Sequence, residues 1–168
     1  MTVMRLMPVL IAVGACAIAV IGLSPGGAAQ EAAKPAAMTP AKAKALMHYR
    51  HERMETIRDK FKVAGKEVSG SSPDLAKVVK PAATIETLAR QASGWFPAGT
   101  GPEVGKTMAK PAVWQDPKDF AAKMTTFQKS ASTFNAAVKS GNAGAAKAAF
   151  GDLAKTCKAC HGLYREEH

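Results

Sequence analysis

Near its C-terminal end the chain reads Cys157-Lys158-Ala159-Cys160-His161. Two thiols three positions apart on a helix leave from one face, so both sulfurs can reach the two vinyl groups along one edge of a porphyrin. The imidazole that follows at once can bind the iron from the same side. His161 is therefore the candidate axial metal ligand, and the pentapeptide is an attachment sequence for haem c, one per chain, through thioether bonds to Cys157 and Cys160. Other uses of these residues fit less well. A thioredoxin-type C-x-x-C sits where a strand enters a helix, and no strand pattern precedes Cys157. A zinc site needs two further ligands at metal spacing, and no second cysteine pair supplies them.

The third cysteine, Cys16, lies in a segment with the character of an export leader. Arg5 stands near the start, an apolar run extends from Leu6 to Leu23, and Ser24, Pro25 and small residues follow. Gly27-Ala28-Ala29 predicts cleavage before Gln30, which makes residues 1–29 a signal peptide and the mature protein periplasmic. Two rivals exist. The apolar run of 18 residues approaches the shortest that spans a bilayer, which would suit an uncleaved anchor. Val13-Gly14-Ala15-Cys16 loosely matches a lipoprotein cleavage box, although apolar sequence continues past it. Export agrees with the cysteine usage, because the mature chain keeps only two thiols and haem attachment consumes both.

Lys and Arg number 23 against 13 Asp and Glu, a formal charge of +10. The lysines are scattered at helical spacing with acidic residues between them, the pattern of a solvated surface rather than of a nucleic-acid interface. A positive face would steer an acidic redox partner.

The elements that must position the attachment sequence are helical. Residues 30–38, rich in Ala, read as a flexible N-terminus. Thr39-Pro40 predicts a capped helix start, and Met47, Arg50, Met54, Ile57 and Phe61 then follow at alternating spacings of 3 and 4, up to a stop at Gly65. Arg50 on that apolar stripe calls for an anion, such as a haem propionate, or for a stem that lies on the seam with its head in water. Pro73-Asp74 opens a second helix with Leu75, Val78, Ala82, Ile85, Ala89 and Ala92 on one face. Pro81 within it predicts either a kink or a delayed start. Trp95–Pro117 carries too many Pro and Gly residues for a helix, and its Trp95, Phe96 and Trp114 predict a connection packed on the bundle. Asp116-Pro117 starts a third helix on Phe120, Met124, Phe127, Ala131, Phe134 and Val138. Gly141-Asn142 ends it and caps a fourth, which carries Ala146, Phe150, Leu153, Cys157, Cys160 and Tyr164. The expected fold is all-α: residues 39–168 form an antiparallel four-helix bundle with covalent haem on the C-terminal helix. Ala-rich seams on the second and fourth helices leave room for a flat cofactor.

Seven residues follow His161, so a ligand for the other iron face comes from upstream. Met38, Met47, Met54, Met108, Met124, His48 and His51 are the candidates. Met124 belongs to the third-helix core, whereas Met54 lies on the inward stripe of the first helix one turn after Arg50. His51, three before Met54, is near enough to join it. A peroxidase would want a distal base and acid, for which only His51 offers itself, so the chain reads as a non-enzyme.

The attachment pentapeptide with Tyr164-Arg165 resembles the last helix of cytochrome c′, the class II c-type cytochromes. Tyr49-Arg50 with Met54, Phe96-Pro97-Ala98-Gly99-Thr100, and Ala109-Lys110-Pro111-Ala112-Val113-Trp114 match in the same order, from about Thr39 to Arg165. Ala112 departs from a common Glu, and His51 from a common Gln. The resemblance implies a homodimer through the first two helices and a five-coordinate iron with His161 proximal. It also implies that Met54 blocks the distal side without ligating, that Arg50 pairs with a propionate, and that Arg165 lies near the proximal side. Such proteins bind nitric oxide and carbon monoxide or pass electrons to a redox partner. The alternative within the class is a low-spin electron carrier with a first-helix Met as sixth ligand.

Overall fold

Thr39 accepts a hydrogen bond from Lys42 N–H through its hydroxyl, and Pro40 takes the first helical position. The helix so begun, α1 (Pro40–Val68), is one of five in a computed structural model that describes residues 38–167. The leader, its expected cleavage site, residues 30–37 and His168 lie outside the described residues. After α1 come α2 (Ala76–Ala92), a 3-10 turn at Ser93–Trp95, α3 (Ala112–Gln115), α4 (Pro117–Lys139) and α5 (Ala143–Tyr164). Asp116 and Asn142 cap α4 and α5, each accepting from the N–H three residues on. Gly141, at φ +73°, ends the turn between them in a conformation that favours glycine.

The four long helices form an antiparallel bundle. The third-helix stripe is its core as expected: Phe120, Met124, Phe127, Ala131, Phe134 and Val138 are all buried. Each buried phenylalanine contributes about 1.5–3 kcal/mol relative to exposure. Val78, Ala82, Ile85, Ala89 and Ala92 face them from α2, fully shielded. One polar clasp joins those helices. Glu86 accepts from Asn135 across the gap and from Arg90 on its own helix. Burial alone would raise its pKa, but hydrogen bonds from Asn135 and Ser132 with the charges of Arg90 and Lys139 outweigh it, and the carboxyl stays below its ordinary value.

Three local expectations change. Gly65 does not end α1, which runs on to Val68. Its missing side chain instead admits Phe150 of α5, because a Cβ there would stand 2.8 Å from the ring's Cζ. Phe150 in turn stacks on Phe61 at 4.3 Å between centroids. Gly65→Leu should therefore cost about 2 kcal/mol in urea unfolding through overpacking. The cost should fall sharply in a Phe150→Ala background, and an equal cost in both would show that the close approach is not its cause. Pro81 does not delay α2, which begins five residues earlier at Ala76 with Asp74 accepting from the Ala76 N–H. The connection is not wholly irregular either: Ala112–Gln115 makes one helical turn, because Pro111 precedes it where a missing N–H does no harm.

The connection stays at one end of the bundle. Phe96 meets Phe120 of α4 edge-on at 4.9 Å, and Phe120 meets Tyr164 of α5 at 5.2 Å. The starts of α1 and α4, the end of α2 and the end of α5 thus gather beneath residues 95–116.

A covered haem site between the first and last helices

Helix α5 presents Cys157 and Cys160 half-buried against the core, with Leu153 and Tyr164 buried above and below on the same face. The two thiols are free. Burial, then the neighbouring Cys160, pushes the Cys157 thiol up to about 11, and burial raises Cys160 as well. Neutral thiols of this kind lack the lowered pKa of a redox C-x-x-C. His161 lies at the solvent-reachable edge of the helix, where burial and then the charge of Arg165 hold its imidazole below the ordinary value. A neutral imidazole is the form that ligates a metal.

Opposite them stands α1. Phe61 and Phe150 touch, and seven residues further toward the covered end lie Met54 on α1 and Cys157 on α5. With antiparallel helices rising about 1.5 Å per residue, both are displaced by about 10 Å in the same direction and come to the same level. Met54 is half-buried against the core, as are Phe96 and Trp114 from the connection. Of the four neighbouring pairs of long helices, α1 and α5 make the least contact. Paired sulfurs on α5, an apolar side chain at the same level of α1 and a loosely packed seam between the two helices fit a flat, covalently attached haem.

The other candidates divide. Met47 and Met124 are buried in the core, whereas His48 and His51 are exposed on α1, His48 beside Glu52. Met38 lies near Gly99, and the Met108 carbonyl accepts from Glu166 N–H. Arg165 is exposed, and its backbone pairs with Ala109 in an isolated antiparallel bridge.

Arg50 overturns the snorkelling alternative, since it is only 4% exposed. Its Nη1 donates to the Thr100 hydroxyl at 3.1 Å and toward the Trp95 carbonyl at 3.4 Å. Its Nη2 donates to the Thr100 carbonyl and the Thr107 hydroxyl, both at 2.9 Å. The guanidinium also lies over the rings of Phe96 and Trp114, 4.8 and 5.6 Å from their centroids. Burial lowers its pKa, though a guanidinium remains charged. Here the fork meets neutral oxygens of the connection. Sequence spacing flagged Arg50 but missed Thr100 and Thr107, because nothing in a Pro- and Gly-rich stretch marks which hydroxyl turns inward. It missed the Tyr164–Asp119 pair too. The phenol donates to the Asp119 carboxylate at 2.6 Å, which, with burial, pushes its pKa up to about 12.

Comparison with known proteins agrees with this geometry. The cytochrome C′ family model matches residues 45–165. Cytochrome c′ of Alcaligenes xylosoxydans xylosoxydans is 32% identical over 128 residues, covering 76% of this chain and 98% of its own. The nitric oxide complex of a variant of cytochrome c prime from Alcaligenes xylosoxidans superposes with a TM-score of 0.69 at 29% identity, over 76% of this chain and 98% of that one. A cytochrome c′ described as having an unusual ligand-controlled dimer dissociation gives a TM-score of 0.69 at 26% identity, over 79% and 100%. The match runs through both halves of the site, from the Met54 turn to Arg165, and the chain belongs to the cytochrome c′ family, with one haem c held covalently by Cys157 and Cys160.

Proposed function

We propose that the chain is exported to the periplasm, loses residues 1–29, and works as the bundle of residues 39–168, taking up nitric oxide and carbon monoxide and passing single electrons without catalysing a reaction of its own. The bound haem supplies an iron that takes small diatomic ligands and changes charge by one electron. His161 holds it from the α5 side with a neutral imidazole, and Arg165 lies beside that face. Met54 fills the α1 side with an apolar body that excludes water and offers no hydrogen to a polarised ligand, which favours small neutral gases. Arg50 and His51 stand at the α1 edge, where a propionate at Arg50 would share its fork with Thr100 and Thr107.

The observation that carries this reading is Met54, half-buried and level with Cys157 across the loosest seam of the bundle. The relative solved with nitric oxide supports the choice of ligand. A homodimer through α1 and α2 is part of the proposal. It is supported by Val63 on α1 and Val79 on α2, large apolar side chains left 46% and 42% exposed, and by the dimer in the relative's description.

The test is the absorption spectrum of the purified holoprotein. A high-spin ferrous form that shifts on adding carbon monoxide supports an open iron. Met54→Ala should then speed carbon monoxide binding by about tenfold, equivalent to lifting about 1.4 kcal/mol of steric barrier. A low-spin ferrous spectrum unmoved by carbon monoxide, turned high-spin by Met54→Ala, would instead make Met54 the sixth ligand of an electron carrier.

A further inference from the structure

Thr107 joins two parts of the site that belong to different helices. Its Oγ1 accepts from Arg50 Nη2 at 2.9 Å and from Ala109 N–H at 3.2 Å. A hydroxyl oxygen offers two acceptor lone pairs, and both are filled. Ala109 stands opposite Arg165 in the antiparallel bridge, which is held by Lys110 N–H to the Tyr164 carbonyl at 2.9 Å and Glu166 N–H to the Met108 carbonyl at 2.8 Å. Arg165 N–H then closes the last turn of α5 on the His161 carbonyl at 3.0 Å. Arg50, one turn before Met54 on α1, is thus linked through Thr107 and residues 108–110 to the backbone of His161. Direct packing between α1 and α5 adds little to this register, because they make the least contact of the four neighbouring pairs.

We propose that Thr107 is a positioning residue whose hydroxyl ties α1 to the clasp behind His161, so that one side chain of the connection holds the Met54 and His161 sides of the haem in register. The proposal rests on the assignment of His161 as iron ligand with Met54 facing it, and it adds the residue that couples them.

The experiment compares holoprotein carrying Thr107→Val, which keeps the shape and loses both acceptor positions, with Thr107→Ser, which restores them. Thr125→Val serves as a control, because the Thr125 hydroxyl bonds only within α4. In Thr107→Val, hydrogen exchange at the Lys110 and Glu166 amides should rise roughly five- to tenfold, the effect of losing about one hydrogen bond, with amides in the middle of α4 unchanged. The iron–histidine vibrational band of the ferrous protein should shift in the same variant, and Thr107→Ser should return both readouts to the wild-type values. Wild-type exchange at Lys110 and Glu166 in Thr107→Val would overturn the tie. Faster exchange with an unmoved iron–histidine band would overturn its role at the haem. A low-spin wild type would defeat the open-iron reading separately, and the exchange measurement would still decide the tie. Thr107→Ala, which removes the same hydroxyl without placing a new methyl there, carries the test should Thr107→Val fail to fold.

Discussion

Replacing both Cys157 and Cys160 with serine is expected to yield a helical protein from which acid–acetone extracts all of the porphyrin and whose mass lacks the cofactor. The loss should be complete because a serine hydroxyl forms no thioether, and His161 alone would hold the haem by one reversible bond. Each single variant should keep one covalent link and stay coloured after extraction. The double variant should also be the less stable protein: a group bound only to the folded state shifts the equilibrium toward it, and its absence leaves the α1–α5 seam, already the loosest of the bundle, unfilled. The measurement is intact mass with an extracted-haem spectrum, on protein made alongside working haem-attachment enzymes. Porphyrin that resists extraction in the double variant would place the covalent bond elsewhere in the chain.

Arg50→Leu should destabilise the folded protein by about 3 kcal/mol or more in urea, with the midpoint lowered and the slope unchanged. The magnitude follows from what the guanidinium holds. Its loss strands the Thr100 carbonyl, at about 1–3 kcal/mol for a buried group left unpaired, and takes one of two partners from each of the Thr100 and Thr107 hydroxyls at the covered end of the bundle. The rings of Phe96 and Trp114 lose their cation as well. Leucine preserves the apolar stripe, so a simple seam position would tolerate it. Arg50→Lys should recover little, because an ammonium cannot lie flat between two rings and donate in a fixed fork. A change below about 1 kcal/mol for Arg50→Leu would mean that the connection is held by its aromatic anchors alone.

These two expectations draw on different kinds of information. The attachment pentapeptide is local: two sulfurs and an imidazole within five residues carry their chemistry in their spacing. The third-helix stripe is legible for the same reason, since the helical period decides which side chains share a face before any partner is known. Helix starts at Thr39, Asp116 and Asn142 were equally readable, each from a side chain that serves an N–H three residues away. Gly65 shows where such reasoning fails. A glycine near the end of a stripe ordinarily signals a stop, but here it answers to Phe150, a residue 85 positions away.

By itself, then, the sequence determined the helical class, the cofactor and its anchoring residues, because each rests on short-range periodicity or on covalent chemistry. Only the tertiary structure decided which oxygens Arg50 meets, which hydroxyls of the connection turn inward, that Met54 stands level with Cys157, and that residues 108–110 clasp the end of α5. Those contacts join residues about 50 or more positions apart, and their geometry is set by how whole helices pack, which no local pattern records.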